Sequence, residues 1–399
     1  MIRPSDRVME IEESPTLAVT ARAKEMRARG LDVIGLAAGE PDFDTPENIK
    51  KAAQRAIEEG HTKYTAVGGI AELKAAIIGK FKGDNSLTYA PDEILVSSGG
   101  KHSFYNLCQA FLNPGDEVIV SAPYWVSYPP MVRLAGGVPV IVPTDESTGF
   151  KMTAGAMAER ITEKTRAVII NSPSNPTGAL YTPGELRAVA DAAVKKGLLV
   201  ISDEIYEKLV YDDGNFVSVA SLSGEIKERT IVLNGVSKAY SMTGWRIGYG
   251  AGPAELIKAM TKVQSQSTSN PASVSQWAAV EALNGPQGSV GAMRDEFEKR
   301  RSVMVKRLNA MEGVSCVMPE GAFYAFPEFG GAIGKKTIDG KAIDGSVALA
   351  SYLLDEAEVA VVPGIGFGND SHLRLSYACS VDNIEEGLKR IAEALGRLK

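Results

Sequence analysis

Seven short apolar runs, separated mostly by helical segments, constrain the fold of this chain more than any other feature. Their hydrophobicity is continuous rather than alternating, which fits strands that are covered on both faces. One intervening helix is predicted over residues 183–197, with a proline near its start and a glycine at its end. The runs are EILVSS (93–98), DEVIVSAP (116–123), VPVIVPT (138–144), RAVIINSP (166–173), LLVISDE (198–204), TIVLNGVS (230–237) and RIGYGAG (246–252). This alternation predicts an α/β fold with a mostly parallel seven-stranded sheet flanked by helices.

The pattern of the sequence changes after about residue 285. A charged helix is predicted over 292–311, and an amphipathic helix over 383–395 closes the chain. Between them lie four short apolar segments, VSCVMP, AFYAFPE, VAVVPG and HLRLSYA. We therefore predict two domains, as the length of 399 residues allows. Residues 46–285 form the large domain, and residues 1–45 and 286–399 form a smaller α+β domain with an N-terminal arm.

Charge and composition argue against several classes of protein. The net charge of −6 argues against nucleic acid as the main partner. No apolar run approaches the roughly 18 residues of a membrane span, and the charged N-terminus lacks the apolar core of a signal peptide. The cysteines are too far apart for a zinc ribbon or a CxxC pair; they are Cys108, Cys316 and Cys379. We expect buried thiols, a reducing compartment and a cytoplasmic protein.

Glycines and polar residues follow several predicted strands, where the carboxyl ends of an open α/β sheet collect its chemistry. Gly99 and Gly100 lie between a strand and a helix, a geometry that offers free N–H groups to an anion but is also a common turn. Asn175 lies in a proline-rich loop, and Asp203 ends a strand with Tyr206 three positions later. Taken singly, a rigid loop explains Asn175 and a helix N-cap explains Asp203.

One chemistry would use all of these residues together with Lys238. This lysine follows an apolar strand and is flanked by small polar residues, which fits a lysine that forms a Schiff base. Such a lysine needs an electron-sink cofactor; pyridoxal phosphate requires a carboxylate opposite its ring nitrogen, for which Asp203 is suited. Asn175 and Tyr206 are suited to hydrogen-bond the ring oxygen. The candidates for the phosphate site and for the aromatic face on the ring are Gly99, Gly100, Ser237, Arg246 and Trp125.

Eight motifs occur in order along nearly the whole chain. They are AAGEPDFDTP (37–46), TKYT (62–65), GGK (99–101), PYWVSYP (123–129), NSPSNPTG (171–178), SDEIYE (202–207), SKAYSMTGWRIGY (237–249) and RLSYA (374–378). On these motifs the chain resembles the class I pyridoxal-phosphate-dependent aminotransferases of fold type I, close to the bacterial aspartate aminotransferases. The resemblance implies that Lys238 forms the Schiff base and that Asp203 pairs with the ring nitrogen. It also implies a substrate site made of Gly39, Trp125, Asn175 and Arg374, in which Arg374 binds the α-carboxylate together with Asn175.

The resemblance further implies an assembly and a substrate. Members of the family are homodimers with shared active sites, so Tyr64 is expected to reach the phosphate in the partner's site. Lys101 is expected to bind the cofactor through its backbone and the distal carboxylate of aspartate through its side chain, helped by Ser14 and Thr16. A solvent-facing lysine in the first turn of a helix is the alternative. The expected reaction transfers the amino group of L-aspartate to 2-oxoglutarate and gives oxaloacetate and L-glutamate.

Several alternatives stay open at the level of the sequence. Relatives with dual aspartate/prephenate activity carry a basic residue in the N-terminal arm, where this chain has Glu12 with Glu13 beside it, so we expect prephenate to be a poor acceptor. Another amino-acid transaminase of this class, or an enzyme of the same fold that catalyses elimination or ring closure, would share the core residues. A transcription regulator would need a DNA-binding extension, which we do not expect. Zinc hydrolysis is disfavoured because no HExxH motif joins the histidines, which are His61, His102 and His372.

Overall fold

The computed structural model describes residues 3–11 and 15–399, and the side chains of residues 15–17 fall outside that description. The strands are β1 (Ile34–Gly35), β2 (Ile94–Ser97), β3 (Glu117–Ala122), β4 (Val138–Pro143), β5 (Thr165–Asn171), β6 (Leu199–Asp203), β7 (Thr230–Gly235), β8 (Gly248–Ala251), β9 (Tyr324–Ala325), β10 (Val359–Ala360), β11 (Val362–Pro363) and β12 (Leu373–Ser376). The helices are α1 (Asp6–Met9), α2 (Pro15–Ala28), α3 (Glu47–Glu58), α4 (Ala71–Asn85), α5 (Gly100–Phe111), α6 (Tyr128–Leu134), α7 (Ala154–Ala158), α8 (Pro183–Lys195), α9 (Gly224–Glu228), α10 (Ala254–Ser267), α11 (Ser273–Asn284), α12 (Gly288–Leu308), α13 (Ser346–Ala357) and α14 (Val381–Leu395).

Strands β2 to β8 form one seven-stranded sheet in the order β2-β8-β7-β6-β5-β3-β4. Every neighbouring pair from β7 to β4 is parallel, whereas β8 runs antiparallel to both β7 and β2. Strands β2, β7 and β8 are buried along their whole length, which explains their continuous hydrophobicity. The predicted fold class and all seven predicted strands are confirmed.

Helices cover both faces of this sheet. Consecutive residues of a strand point to opposite faces, so neighbouring residues pack against different helices. In β2, Leu95 packs in a core with α5 and α10, whereas Ile94 and Val96 pack with α3, α4 and α11. Helix α8 covers β3 and β5 on the second face. It begins as its sequence predicts, since Thr182 and Glu185 form a capping box around Pro183 at the first turn.

A further core is built mainly from α12, α13 and α14 around a three-stranded antiparallel sheet of order β11-β12-β9, and it also includes Tyr206, Leu209 and Tyr211 from the segment after β6. The N-terminal strand β1 pairs in parallel with β10 beside that core. Of the four short apolar segments noted in the sequence, VSCVMP makes one isolated bridge, from Ser315 to Glu328, and its Val317 and Met318 are exposed. The domain boundaries at residues 46 and 285 stay a prediction.

The cysteines are free thiols; Cys108 and Cys316 are buried and Cys379 is half-buried. Over residues 3–11 and 15–399, no group of three or more histidine, cysteine or acidic side chains could hold a metal ion. None of the helices in the same ranges combines the length and the apolar character that crossing a membrane requires.

Candidate active site

The parallel strands deliver their carboxyl ends to one edge of the sheet, and the predicted site residues collect there. Asn171 at the end of β5 is in register with Asp203 at the end of β6. The end of β7 follows on the next strand, and Lys238 lies three residues beyond it. Because β8 is antiparallel to both of its neighbours, β2 runs in the same direction as β7 and brings Gly99 to the same edge.

The amine of Lys238 lies at the centre of this edge, where it donates a 2.6 Å hydrogen bond to the carbonyl oxygen of Gly39. The pKa of Lys238 is lowered to about 8, chiefly by burial and next by the nearby guanidinium of Arg374. The carboxylates of Glu40 and Asp203 oppose this shift. Lys238 is therefore a lysine whose neutral form is accessible close to neutral pH.

This pKa gives a measurable expectation for the protein without cofactor. The neutral amine is the nucleophile, so acetylation of Lys238 by dilute acetic anhydride should rise with pH and reach half of its maximal rate near pH 8. Exposed lysines should reach half of their maximal rate near about pH 10.4. Peptide mapping by mass spectrometry at several pH values measures both groups in one sample. A Lys238 profile that coincides with that of the exposed lysines would contradict the lowered pKa.

Asp203 presents a carboxylate whose surroundings hold it in one orientation. The hydroxyl of Tyr128 donates to its Oδ2 at 2.6 Å, and the backbone N–H of Ile205 donates to its Oδ1 at 3.3 Å. Burial raises the pKa of Asp203, and the hydrogen bond from Tyr128 works in the opposite direction. Sequence reasoning assigned no role to Tyr128, although it lies within the PYWVSYP motif.

Arg374 is a buried cation with unused hydrogen-bonding capacity. It is 3% exposed on β12; its Nη2 donates to the carbonyl of Ala37 at 2.9 Å and its Nη1 to Oδ1 of Asn175 at 3.3 Å. Its guanidinium lies 4.5 Å from the ring centre of Tyr324. Its Nε is buried and has no partner. A buried guanidinium with an unpaired N–H is the feature expected of an anion-binding arginine.

Tyr206 is buried, and its hydroxyl lies 3.0 Å from the hydroxyl of Tyr324. Tyr324, on β9, is also close to the site, because a Cβ added to Gly39 would lie 3.6 Å from its hydroxyl. In the sequence, Tyr324 is marked only by its place in the apolar segment AFYAFPE. The tyrosine pair joins the sheet edge to the C-terminal core, which carries Arg374.

A second part of the site suits an anion. Gly99 has a φ of +92° and precedes α5, and a Cβ at this position would collide with the guanidinium of Arg246. Gly248 packs directly against Gly100. The Arg246 side chain is exposed and anchored by a 2.7 Å bond from its Nη1 to the carbonyl of Thr243. The free N–H groups at the start of α5, with the guanidinium beside them, can hold a phosphate; Ser237 is buried two residues after β7.

Lys101, in the first turn of α5, places its amine 5.1 Å from the ring centre of Trp125, which follows β3. Burial of the amine and then the charge of Arg246 lower the pKa of Lys101. Trp125 in turn packs edge-on against Tyr128 at 5.2 Å. The expected helpers of Lys101 lie outside the described part of the chain, as do the acidic residues of the arm; these are Ser14, the side chain of Thr16, Glu12 and Glu13.

Tyr64 is a predicted site residue that stands apart from this edge in the single chain. Its side chain is 93% exposed. The others form a continuous arrangement of a nucleophilic lysine, a buried carboxylate, two anion sites and an indole face. This donor set fits pyridoxal phosphate, because the unpaired Nε of Arg374 and the Arg246 guanidinium beside Gly99 offer donors to two anionic groups near the Lys238 amine.

Comparison with known proteins agrees with this geometry. Residues 31–391 match the family described as aminotransferase class I and II. The chain is 54% identical to an aspartate aminotransferase of Bacillus sp. strain YM-2 and 53% identical to an aspartate/prephenate aminotransferase of Cereibacter sphaeroides, over 97% of both chains in each case. The solved structure of an aspartate aminotransferase from Rhizobium meliloti superposes with a TM-score of 0.96 at 48% identity, covering 100% of both chains. The chain belongs to the aminotransferase class I and II family.

Proposed function

We propose that this protein is a pyridoxal-phosphate-dependent transaminase that transfers the amino group of L-aspartate to 2-oxoglutarate, giving oxaloacetate and L-glutamate. The observation that carries the proposal is the Lys238 amine, which has a pKa of about 8 and is held by Gly39 within electrostatic range of Asp203 and Arg374. Several relatives that are about half identical to this chain in sequence are named aspartate aminotransferase, and these names support aspartate as the substrate.

Each residue at the sheet edge has a defined task in this reaction. Bound pyridoxal phosphate supplies an aldehyde carbon that accepts amino groups and a ring that takes up the electron pair of a Cα–H bond. Lys238 would hold the cofactor covalently, and its amine, when free, would take the proton from the substrate Cα. The lowered pKa leaves a useful fraction of that amine neutral near neutral pH. Asp203, oriented by Tyr128, keeps a proton on the ring nitrogen.

The two cations orient the substrate from opposite ends. Arg374 binds the α-carboxylate through N–H groups that include the unpaired Nε, and Asn175 fixes the guanidinium. Lys101 binds the distal carboxylate from its place beside the Trp125 ring. The partly desolvated amine of Lys101 strengthens the attraction for a carboxylate, because few water molecules compete for it. The backbone at Gly99 and Gly100, Ser237 and Arg246 would hold the phosphate, and Tyr206 would donate to the ring oxygen.

One absorbance experiment tests cofactor, reaction class and substrate together. The purified protein should show the near-visible absorbance of bound pyridoxal phosphate; L-aspartate should shift it, and 2-oxoglutarate should reverse the shift as glutamate appears. A shift with alanine or phenylalanine but not with aspartate would contradict the substrate assignment. Release of pyruvate and ammonia would instead identify an elimination enzyme of the same fold.

We propose further that the active unit is a homodimer in which Tyr64 contacts the phosphate of the partner subunit. The 93% exposure of Tyr64 in the single chain supports this proposal, because an aromatic side chain so exposed is free to enter another subunit. Mixing an inactive Tyr64→Ala variant with an inactive Lys238→Ala variant should restore activity, since hybrid dimers contain one site with both residues intact. If labelled subunits exchange and no activity returns, the sites are not shared.

An aspartate/prephenate aminotransferase is the second candidate, because a relative with that name is 53% identical over 97% of this chain. We retain the expectation that prephenate is a poor acceptor here. It rests on Glu12 and Glu13, which would repel a dianionic acceptor. Formation of arogenate at a rate comparable with that of glutamate would favour the second candidate.

A further inference from the structure

The loop between α3 and α4 combines an exposed tip with an unusually well-anchored backbone. Its tip carries Tyr64, whose side chain is 93% exposed and so is little constrained by packing against the described residues of its own chain. The position of such a side chain is set by its backbone alone. The polar atoms that hold this backbone therefore decide where the Tyr64 hydroxyl lies.

Gln276 on α11 is the central anchor of the loop, and it is fully buried with 0% exposure. Its Nε2 donates to the Thr65 hydroxyl at 3.1 Å and to the Pro271 carbonyl at 2.9 Å. Its Oε1 accepts the backbone N–H of Ile70 at 2.8 Å. One amide thus contacts the residue next to Tyr64, the end of the loop and the segment that precedes α11.

A second buried glutamine and a serine complete the anchoring. Gln264 on α10 is 0% exposed and donates to the carbonyl of Val67 at 2.7 Å and to that of Val96 on β2 at 2.8 Å. At the other end of the loop, the Ser273 hydroxyl donates to the carbonyl of His61 at 2.7 Å. The loop is therefore held on both sides of Tyr64 by α10 and α11 of its own chain.

We infer that Gln276 is a positioning residue for Tyr64, and that through Tyr64 it sets the affinity of the partner subunit's site for the cofactor phosphate. The inference rests on the proposed placement of Tyr64 at that phosphate. A buried amide that satisfies three groups is costly to replace, because each unpaired N–H or carbonyl left behind loses its hydrogen bond without regaining water. The loop would relax to restore these bonds, and the Tyr64 hydroxyl would move with it.

The test compares pyridoxal phosphate with pyridoxal, which lacks the phosphate, as ligands of the full-length protein. Gln276→Leu should raise the Kd of pyridoxal phosphate by about tenfold, and Thr65→Val, which removes one of its partners, by about fivefold. The Kd of pyridoxal should change less than about twofold in both variants, because it has no phosphate for Tyr64 to contact. Thr65→Ser keeps the hydroxyl and should restore the affinity for pyridoxal phosphate.

Two controls separate positioning from a general loss of stability. Thr230→Val removes a buried hydroxyl that donates to the Ile226 carbonyl at 2.7 Å, at the opposite end of β7 from Lys238. It should lower Tm without changing either Kd. In a Tyr64→Phe background, Gln276→Leu should add less than about twofold to the Kd of pyridoxal phosphate, because the hydroxyl through which it acts is gone.

The outcomes distinguish this inference from the proposal on which it rests. Equal weakening of pyridoxal and pyridoxal phosphate by Gln276→Leu, or a full tenfold effect in the Tyr64→Phe background, would overturn the positioning role alone. An unchanged Kd for pyridoxal phosphate in Tyr64→Phe itself would overturn the placement of Tyr64 at the phosphate, and the role of Gln276 with it.

Discussion

Replacing Lys238 by alanine should lower turnover by more than about 10⁴-fold, because in the proposed reaction one amine would serve both as the covalent anchor and as the base for the Cα proton. The fold should survive this change. Burial disfavours the charged form of this amine, so removing the amine relieves a desolvation cost. The change also removes the hydrogen bond from the amine to the Gly39 carbonyl. Turnover with aspartate, Tm and the near-visible spectrum of the variant measure these effects.

Two controls make the Lys238 prediction specific. Lys238→Arg keeps a cation at the site but supplies no amine that can be neutral near pH 8, so it should be as inactive as the alanine variant. In the unchanged protein, borohydride should fix the cofactor irreversibly to the peptide that contains Lys238. Labelling of another lysine, such as Lys101, would contradict the assignment of the anchor.

Replacing Lys101 by alanine should lower kcat/KM for aspartate by roughly 30-fold or more, since losing one partner of a desolvated charge pair costs about 2–5 kcal/mol. Burial lowers the pKa of the Lys101 amine beside Trp125, although the residue as a whole is exposed in the single chain, so we expect bound aspartate to complete the desolvation. Alanine and phenylalanine lack the distal carboxylate, so kcat/KM for these substrates should change little. Steady-state kinetics with the three amino acids measure the difference.

Arg374→Leu is the matched control for Lys101→Ala. Every amino-acid substrate carries the α-carboxylate, so loss of Arg374 should reduce kcat/KM for aspartate, alanine and phenylalanine alike. The two variants together separate recognition of the common end of the substrate from recognition of its distal end. If Lys101→Ala weakened all three substrates equally, Lys101 would serve the cofactor and not the distal carboxylate.

The sheet could be predicted because strands buried on both faces, such as β2, β7 and β8, carry a continuous apolar run, and the edge strand β4 carries one too although only its Val142 is buried. The direction of β8 could not, since hydrophobicity does not encode whether a neighbour is parallel. An apolar run does not always mark a buried strand, as VSCVMP shows. Its Val317 and Met318 are 43% and 44% exposed, because the bridge at Ser315 is isolated and does not continue into a strand pair.

Site residues that follow strands could be proposed from their positions, because parallel strands end at one edge. Lys238, Asp203 and Gly99 are of this kind. Tyr324 and Tyr128 are not, since their partners at the site are 118 and 75 positions away in the chain. Gln276 left no signal at all: a glutamine in a helix is unremarkable until the loop 211 residues earlier packs against it. Such contacts depend on how the elements pack together, which the local sequence does not specify.

The Lys238 amine donates to the carbonyl of Gly39, which is synthesised early. The segment that carries Gly39 is held by residues 359–376, which are synthesised much later. Strand β1 pairs with β10, the Ser376 N–H donates to the Leu36 carbonyl at 2.7 Å, and the Ala37 carbonyl accepts from Arg374. A nascent chain on the ribosome can therefore complete the large sheet while Gly39 still lacks its place. If the protein binds pyridoxal phosphate as proposed, a complete site around Lys238 therefore has to wait until residues 359–376 have been synthesised and have folded onto this segment.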